Sequence, residues 1–234
     1  MPPKATVKEE IHYNDKGQII AKGSTLGDKP EGEYTSYFGN EQVMVKLSYR
    51  NGIKDGEAVS YYHDGQIREK GAFKNDKLIG DYVCYYENGQ IREKEHYNED
   101  GLLDGVYQFY YRNGQLRDEE NFKNGKFDGD YVSYYKDGSL REQGRFKNDK
   151  REGDYIAYYK SGRTKEKAFY KNGKLEGKFL SFDERGNAMS SKDRSTDAPP
   201  ADGEEENQDR ERMIDDLLKG LGKFGSSTKS DSNH

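Results

Sequence analysis

The chain repeats one phrase every 24 residues, and this period limits what it can fold into more than any other feature. The stretch from Gly80 reads GDYVCYYENGQIREKEHY, and the stretch from Gly129 reads GDYVSYYKDGSLREQGRF. The glycines that open the stretches are Gly32, Gly56, Gly80, Gly105, Gly129, Gly153 and Gly177. Their spacing is 24 residues, except for one step of 25. Such a period indicates an array of repeats in which each unit packs on its neighbours, and we expect about eight repeats over residues 11–189.

Within one repeat the residue pattern predicts a β-hairpin. The segment 82–86 is short and rich in aromatic and β-branched residues, as strands are. It is followed by Asn88-Gly89, a pair that tolerates positive φ and predicts a type I′ turn. The return strand is predicted over 90–97, and a second turn follows it, as at 123–125. Because every connection is short enough for antiparallel pairing, the predicted fold is all-β, an elongated single-layer antiparallel β-meander.

Alternation along the first strand separates two faces of this sheet. Positions 82, 84 and 86 share one face, and positions 83 and 85 share the other. The residues equivalent to Cys84 are mostly small, which predicts room there for rings of neighbouring repeats. Both faces mix aromatic and polar residues, so the pattern leaves open which face is the inner one.

Two aligned rows of side chains form the candidate protein-binding surface, because Tyr and Arg supply much of the binding energy at interfaces. The tyrosines are Tyr62, Tyr86, Tyr111, Tyr135 and Tyr159. The arginines are Arg68, Arg92, Arg117 and Arg141. An acidic residue follows each arginine, so these positions fit two interpretations. One is a charge ladder that solvates the sheet and protects it from aggregation; the other is a ladder that reads a ligand.

The phrase G-x-Y-x-x-Y-Y-x-N-G-x-[IL]-[RK]-x-x-x-x-[FY]-x-N-G-x-x-x-G resembles the MORN repeat variant. That variant is found in bacterial proteins often catalogued as YwqK-type antitoxins of toxin–antitoxin systems. The resemblance covers residues 11–189 and implies an elongated β array used for binding. The first two repeats lack parts of the phrase, and the last has Phe182-Asp183 in place of the Tyr pair. Atypical end repeats are what capping an array requires.

The composition predicts a thin core and a cytoplasmic location. Aromatic residues make up 13% of the chain, although its mean hydropathy is −1.26, whereas disordered chains are poor in aromatics. The net charge of −5 is mild and the charges are interleaved, which argues against a nucleic-acid partner. We find no apolar run of membrane-spanning length and no apolar leader. The single cysteine, Cys84, fits a reducing compartment.

The residues that usually carry chemistry form no recognisable constellation. The histidines, His12, His63, His96 and His234, have neither zinc-site spacing nor cysteine partners. The slot of Cys84 holds Ser or Ala in most repeats, so a packing role is favoured over a nucleophile. The Asn-Gly and Asp-Gly pairs lack the spacing of calcium loops. We therefore expect no catalytic residues, no metal and no cofactor.

The chain changes character after the repeats. Residues 1–10 are predicted to be a flexible N-terminus, 190–209 a disordered acidic linker and 226–234 a disordered C-terminus. Between the last two, 210–225 is predicted as an amphipathic helix. Its apolar stripe, a candidate partner-binding site, consists of Met213, Ile214, Leu217, Leu218, Leu221 and Phe224. This stripe has three possible binding sites: a groove of a partner protein, the chain's own sheet, or a membrane surface. The membrane surface is the least favoured, because Asp215 and Asp216 would be repelled by anionic lipid.

These features predict a non-enzymatic protein-binding scaffold, and the resemblance adds an antitoxin that clasps a toxin protein. One alternative is self-assembly, because a single-layer sheet has open edges that allow a homo-oligomer. Another is a peripheral lipid-associated adaptor. The lipid-associated adaptor is disfavoured, because the repeat region is nearly neutral and lacks the basic clusters that anionic headgroups require.

Overall fold

The computed structural model describes residues 6–189, which form one antiparallel sheet of nineteen strands. The strands are β1 Val7–Tyr13, β2 Ile19–Leu26, β3 Lys29–Pro30, β4 Gly32–Tyr37, β5 Val43–Arg50, β6 Ile53–Tyr61, β7 Ile67–Lys74, β8 Lys77–Tyr85, β9 Ile91–Tyr97, β10 Gly105–Tyr110, β11 Leu116–Lys123, β12 Lys126–Tyr134, β13 Leu140–Lys147, β14 Lys150–Arg151, β15 Gly153–Tyr158, β16 Thr164–Lys171, β17 Lys174–Leu175, β18 Leu180–Phe182 and β19 Ala188–Met189. No helix occurs within residues 6–189. The predicted all-β antiparallel meander is confirmed.

Strand pairing follows chain order from one end of the sheet to the other. The strand β8, for example, pairs with β7 on one side and β9 on the other. The two-residue strands β3, β14 and β17 pair with the strand before them and lead into β4, β15 and β18. At the N-terminal end, Val7 of β1 pairs with Leu26 of β2. The sheet therefore extends into the stretch 1–10 that was predicted to be flexible, because these residues continue the pairing of the first hairpin.

The first turn of each repeat is not the predicted type I′ turn. The amide of Gly89 donates to the carbonyl of Tyr86, 2.9 Å away, which makes Glu87 and Asn88 the central residues. Gly89 has a φ of 78°, whereas Asn88 is not among the residues of positive φ. This is a type I turn closed by a glycine bulge. The Asn-Gly pair suits both turn types, and the strand register selects this one.

Type I′ turns occur instead at the opposite end of the hairpins. Lys123 pairs with Lys126, and between them Asn124 and Gly125 have φ values of 51° and 77°. In the repeat with the 25-residue step, a longer turn of the first kind spans residues 98–102. The extra residue is therefore absorbed in a turn and not in a strand.

A β-bulge occurs at the same place in each long hairpin. Cys84 pairs with Glu93 and Tyr85 pairs with Ile91, which leaves Arg92 unopposed. The equivalent unopposed residues are Ile20, Met44, Arg68, Arg117, Arg141 and Lys165. Neighbouring residues of a regular strand point to opposite faces, but a bulge can turn both toward one face. The bulge therefore lets each arginine approach the acidic residue that follows it.

The face of Tyr82 and Cys84 is the inner face of the sheet, which the sequence left open. Tyr82 is 3% exposed and Cys84 is 2% exposed, whereas Val83 and Tyr85 on the outer face are half-buried. Aromatic pairs fill much of the inner face. The rings of Tyr82 and Tyr97 meet edge to face, with centroids 6.4 Å apart. Such a pair contributes about 0.5–1.5 kcal/mol beyond its buried area.

Glycines on the return strands make room for these rings. A Cβ atom at Gly71 would lie 2.8 Å from Cδ2 of Tyr82, and one at Gly144 would lie 2.6 Å from Cε1 of Tyr131. Ser60, one of the small residues at the position of Cys84, donates a hydrogen bond to the Glu69 carboxylate, 2.7 Å away. Room for the rings of the inner face therefore also comes from glycines of the return strands, which the sequence pattern did not single out.

Candidate protein-binding surfaces

The predicted arginines lie at the bulges, and each is paired with an acidic side chain. Arg68 Nη2 lies 2.6 Å from Glu69 Oε1, and Arg92 Nη2 lies 2.7 Å from Glu93 Oε1. Arg117 and Arg141 make the equivalent contacts. Opposite charges at these distances compensate each other, so the rows form a neutral ladder along the sheet.

Glu69 is the best-buried member of this ladder. Its side chain accepts hydrogen bonds from the Ser60 hydroxyl, from Arg68 and from the hydroxyl of Tyr82. Buried carboxylates are stable only when their acceptor sites are satisfied in this way. Burial, with Cys84 and Glu69 nearby, raises the pKa of the Tyr82 hydroxyl. Tyr82 therefore stays protonated and serves as a hydrogen-bond donor.

Cys84 lies among the same groups and is protected from reaction. Burial, followed by the carboxylates of Glu93 and Glu69, raises the pKa of its thiol well above the ordinary value. Because the thiolate is the nucleophilic form of cysteine, burial keeps the Cys84 side chain in its less reactive thiol form.

The predicted tyrosine row fastens each hairpin to the next. The hydroxyl of Tyr86 donates to the backbone carbonyl of Tyr110, 2.6 Å away, across 24 residues of sequence. The other hydroxyls that donate to the following repeat are those of Tyr62, Tyr111, Tyr135 and Tyr159. Their rings are half-buried, and Arg112 lies over the ring of Tyr86 at 5.4 Å. The structure thus brings the predicted tyrosines and arginines together, with their polar groups engaged within the sheet.

A second row, on the outer face, was not predicted as a site. Each long hairpin places a tyrosine directly opposite a residue that follows the first turn, as Tyr85 opposes Ile91. We call these residues the Tyr–aliphatic band. The pairs are Tyr13–Ile19, Tyr37–Val43, Tyr61–Ile67, Tyr85–Ile91, Tyr110–Leu116, Tyr134–Leu140 and Tyr158–Thr164.

None of the band's fourteen side chains is buried; each is half-buried or exposed. The sequence signal was the Ile or Leu two residues after the turn glycine, as Ile91 follows Gly89. Strict alternation would place Ile91 and Glu93 on the same face. The bulge at Arg92 places them on opposite faces, so alternation alone does not reveal that Ile91 lies beside Tyr85.

Lysines border the band over the N-terminal half of the sheet. The Nζ atom of Lys70 lies 5.9 Å from the ring centroid of Tyr85, and that of Lys94 lies 5.7 Å from that of Tyr110. Lys22 stands in the same relation to Tyr37, at 5.9 Å. An ammonium group over a ring is attracted to its negative face, so the lysines hold the band's tyrosines in place.

The part of the chain that the structure describes holds neither a metal-binding cluster nor a helix that could span a membrane. Residues 6–189 contain no group of three or more His, Cys, Asp or Glu side chains placed to hold a metal ion. Within the same range, no helix has the length and apolarity needed to span a bilayer. The predicted helical stripe from Met213 to Phe224 lies outside the described residues.

A meander of equivalent hairpins with continuous side-chain rows on both faces defines the class of β-hairpin repeat proteins. The model of one family, the MORN repeat variant, matches six segments of 22 residues: 30–51, 54–75, 78–99, 103–124, 127–148 and 151–172. These segments make up more than half of the chain, which belongs to this family.

Two of the solved structures that match the chain are distant from it. The crystal structures of TcdB2-TccC3-Cdc42 and of TcdB2-TccC3-TEV each share 12% sequence identity with the chain, with TM-scores of 0.19 and 0.17. Each similarity covers 75% of this chain and 13% of the other, so the chain spans about an eighth of those proteins. Scores this low identify no shared fold. No curated protein matches the chain.

Proposed function

We propose that the repeat region is a non-enzymatic scaffold that binds a partner protein through the Tyr–aliphatic band. The observation that carries this proposal is the unbroken run of seven cross-strand pairs on the outer face, none of whose side chains is buried. Extended exposed apolar rows on soluble proteins usually mark interaction sites. Tyrosine supplies large contact area at a small loss of conformational entropy.

The inner face is less suited to the first contact with a partner. Its arginines are paired with acids, and the hydroxyls of the Tyr86 row already bind backbone carbonyls. A partner that displaced these groups would leave buried charges uncompensated, which costs several kcal/mol. The outer face requires a smaller rearrangement, since none of the band's rings is buried and the lysines that lie over three of them are themselves exposed.

The partner in this proposal is a cytoplasmic protein, and a toxin held inactive on the sheet is one specific form of it. The family resemblance supports the toxin form, and the near balance of 39 basic against 44 acidic residues supports a protein over a nucleic acid. A toxin partner would be encoded beside the scaffold and would lose activity when the sheet covers it.

Affinity capture from native cells tests the proposal when it is run with three baits in parallel. The first bait is the unaltered chain, and the second carries Tyr61→Ser, Tyr85→Ser and Ile91→Ser in the band. The third carries Val106→Ser, at an apolar residue of the outer face that is 46% exposed and lies off the band. The proposal expects a stoichiometric partner on the first and third baits and its loss from the second.

Two results contradict the proposal. One is the absence of any stoichiometric partner on the unaltered chain. The other is a partner that the band variant retains while circular dichroism shows that all three baits are folded alike.

A further inference from the structure

The first strand of the sheet forms one of its edges, and the outer face of this strand carries three apolar side chains and Glu9. On the outer face, Val7, Ile11 and Tyr13 are 61%, 42% and 56% exposed. The residues equivalent to Ile11 and Tyr13 in an interior repeat, Val83 and Tyr85, are half-buried beneath their neighbours. Within residues 6–189, β1 pairs only with β2. On its outer face β1 therefore has the same residue types as an interior strand. Within the described residues, however, no strand pairs with its second edge.

The backbone of β1 presents alternate residues to that open edge. The amide of Asn14 donates to the carbonyl of Gln18 across the first turn, so Asn14 faces β2. In antiparallel pairing every second residue faces the same neighbour, and therefore Lys8 and Glu10 also face β2. The bulge of this hairpin lies on β2, at Ile20, so the alternation on β1 is unbroken. The amide and carbonyl groups of Val7, Glu9 and Ile11 consequently point outward.

We propose that two copies of this chain join through their β1 strands, antiparallel and in register about a two-fold axis at Glu9. In this register Lys8 of each copy lies opposite Glu10 of the other, and Val7 lies opposite Ile11. The two Glu9 side chains meet at the axis, on the exposed outer face. Each contact occurs twice, as two-fold symmetry requires. The outward backbone groups of Val7, Glu9 and Ile11 then form the new hydrogen-bond ladder.

Neighbouring registers are less favourable. A shift that places Glu10 on the axis sets Lys8 opposite His12 and Glu10 opposite its own copy, with no Lys–Glu pair. The opposite shift places Lys8 on the axis and brings two lysines together. Opposite charges across a strand pair attract and like charges repel, so in the proposed register the two Lys8–Glu10 contacts outnumber the single Glu9–Glu9 contact. Charged residues often protect an edge strand from pairing, but in β1 their order favours one antiparallel partner, a second copy.

The two copies would share one continuous sheet. The two-fold axis of an antiparallel strand pair is perpendicular to the sheet, so the outer face of one copy continues into that of the other. The Tyr–aliphatic bands of the two copies, which begin at Tyr13 and Ile19, would lie on the same outer face but be offset along the strands, because position 13 of each copy is four residues from the axis at Glu9. Dimer formation at the edge strand β1 does not depend on whether a partner protein binds the band.

A charge exchange tests the register. Sedimentation of the full chain over a concentration series is expected to show a monomer–dimer equilibrium. Glu10→Lys alone and Lys8→Glu alone each place like charges opposite one another and weaken the dimer by about tenfold. The double variant restores the opposite charges and returns most of the affinity. A monomer at every accessible concentration overturns the proposal, as does a dimer that all three variants leave unchanged.

A disulfide measures the position of the axis directly. Facing residues of a hydrogen-bonded antiparallel pair have Cα atoms about 5.5 Å apart, which lies within disulfide reach. Glu9→Cys is therefore expected to give a covalent dimer under mild oxidation, while the natural Cys84 stays buried. Glu57→Cys, at the equivalent outer position of an interior strand, is the matched control and is expected to remain monomeric. Equal cross-linking of both variants, or of neither, would contradict the proposed axis.

Discussion

Replacement of Glu69 by glutamine should destabilise the repeat region strongly, because this carboxylate collects the polar groups of the inner face. Glu69 is 2% exposed and accepts hydrogen bonds from Ser60, Arg68 and Tyr82. Glutamine has nearly the same shape as glutamate but no charge. Its amide NH2 group would replace one carboxylate oxygen and would face the donors of Ser60, Arg68 or Tyr82. Breaking a buried ion pair costs about 3–5 kcal/mol. The Arg68 side chain is 41% exposed and can turn to solvent, which lowers the expected loss to about 2–3 kcal/mol.

Glu142→Gln is the matched control for this prediction. Glu142 occupies the equivalent position two repeats after Glu93, but its side chain is 24% exposed and lies 3.6 Å from Arg141. Its hydrogen bond from Tyr155 can be kept by the glutamine carbonyl, so a loss of about 1 kcal/mol or less is expected.

Urea unfolding followed by circular dichroism gives both losses from the midpoint and slope. Repeat arrays can unfold in parts, so hydrogen exchange should also show the loss concentrated in β6 to β9. Equal destabilisation by the two replacements would refute the reasoning, because it would mean that burial and hydrogen bonding of the carboxylate do not set its contribution.

Three further outcomes follow from individual contacts. Tyr86→Phe removes the hydroxyl that binds the carbonyl of Tyr110 and should cost about 1 kcal/mol in urea unfolding; an unchanged midpoint would contradict this. Gly71→Ala places a Cβ atom 2.8 Å from the Tyr82 ring and should cost about 1–3 kcal/mol through overpacking, whereas a stabilised protein would show that the ring shifts freely. Hydrogen bonds from the hydroxyl and the backbone amide of Ser139 lower the pKa of Asp137 to about 2. Because this pKa lies below that of the unfolded chain, its contribution to stability is present above about pH 4 and lost as the pH falls toward 2; an NMR titration midpoint near 4 would contradict it.

The period of the glycines was enough to predict the meander, since turns every dozen residues allow only antiparallel neighbours. The turn types could not be predicted in the same way. Asn88-Gly89 and Asn124-Gly125 are chemically alike, yet the first forms a type I turn with a glycine bulge and the second a type I′ turn. The difference lies in which flanking residues pair, and pairing is set by contacts between hairpins that local sequence does not contain.

The faces of the return strand were hidden for a related reason. Alternation assigns Arg92 and Glu93 to opposite faces, but the bulge at Arg92 turns them toward each other. The same bulge conceals that Ile91 lies beside Tyr85 on the outer face. Sequence reasoning therefore found the tyrosines and arginines of the inner face and missed the band behind them.

The hydrogen bonds that fasten each hairpin to the next span 23 or 24 residues, as from Tyr86 to Tyr110 and from Tyr111 to Tyr134. A deletion of one whole unit would bring an equivalent carbonyl to the same hydroxyl, and a duplication would do so again. The gene can therefore lengthen or shorten in whole units without loss of the joints between them. An insertion or deletion of a few codons within a strand would instead shift the strand register and break the joint that spans it, unless a turn such as that at 98–102 absorbs the change. Evolution can thus adjust the reach of this protein in steps of one hairpin pair.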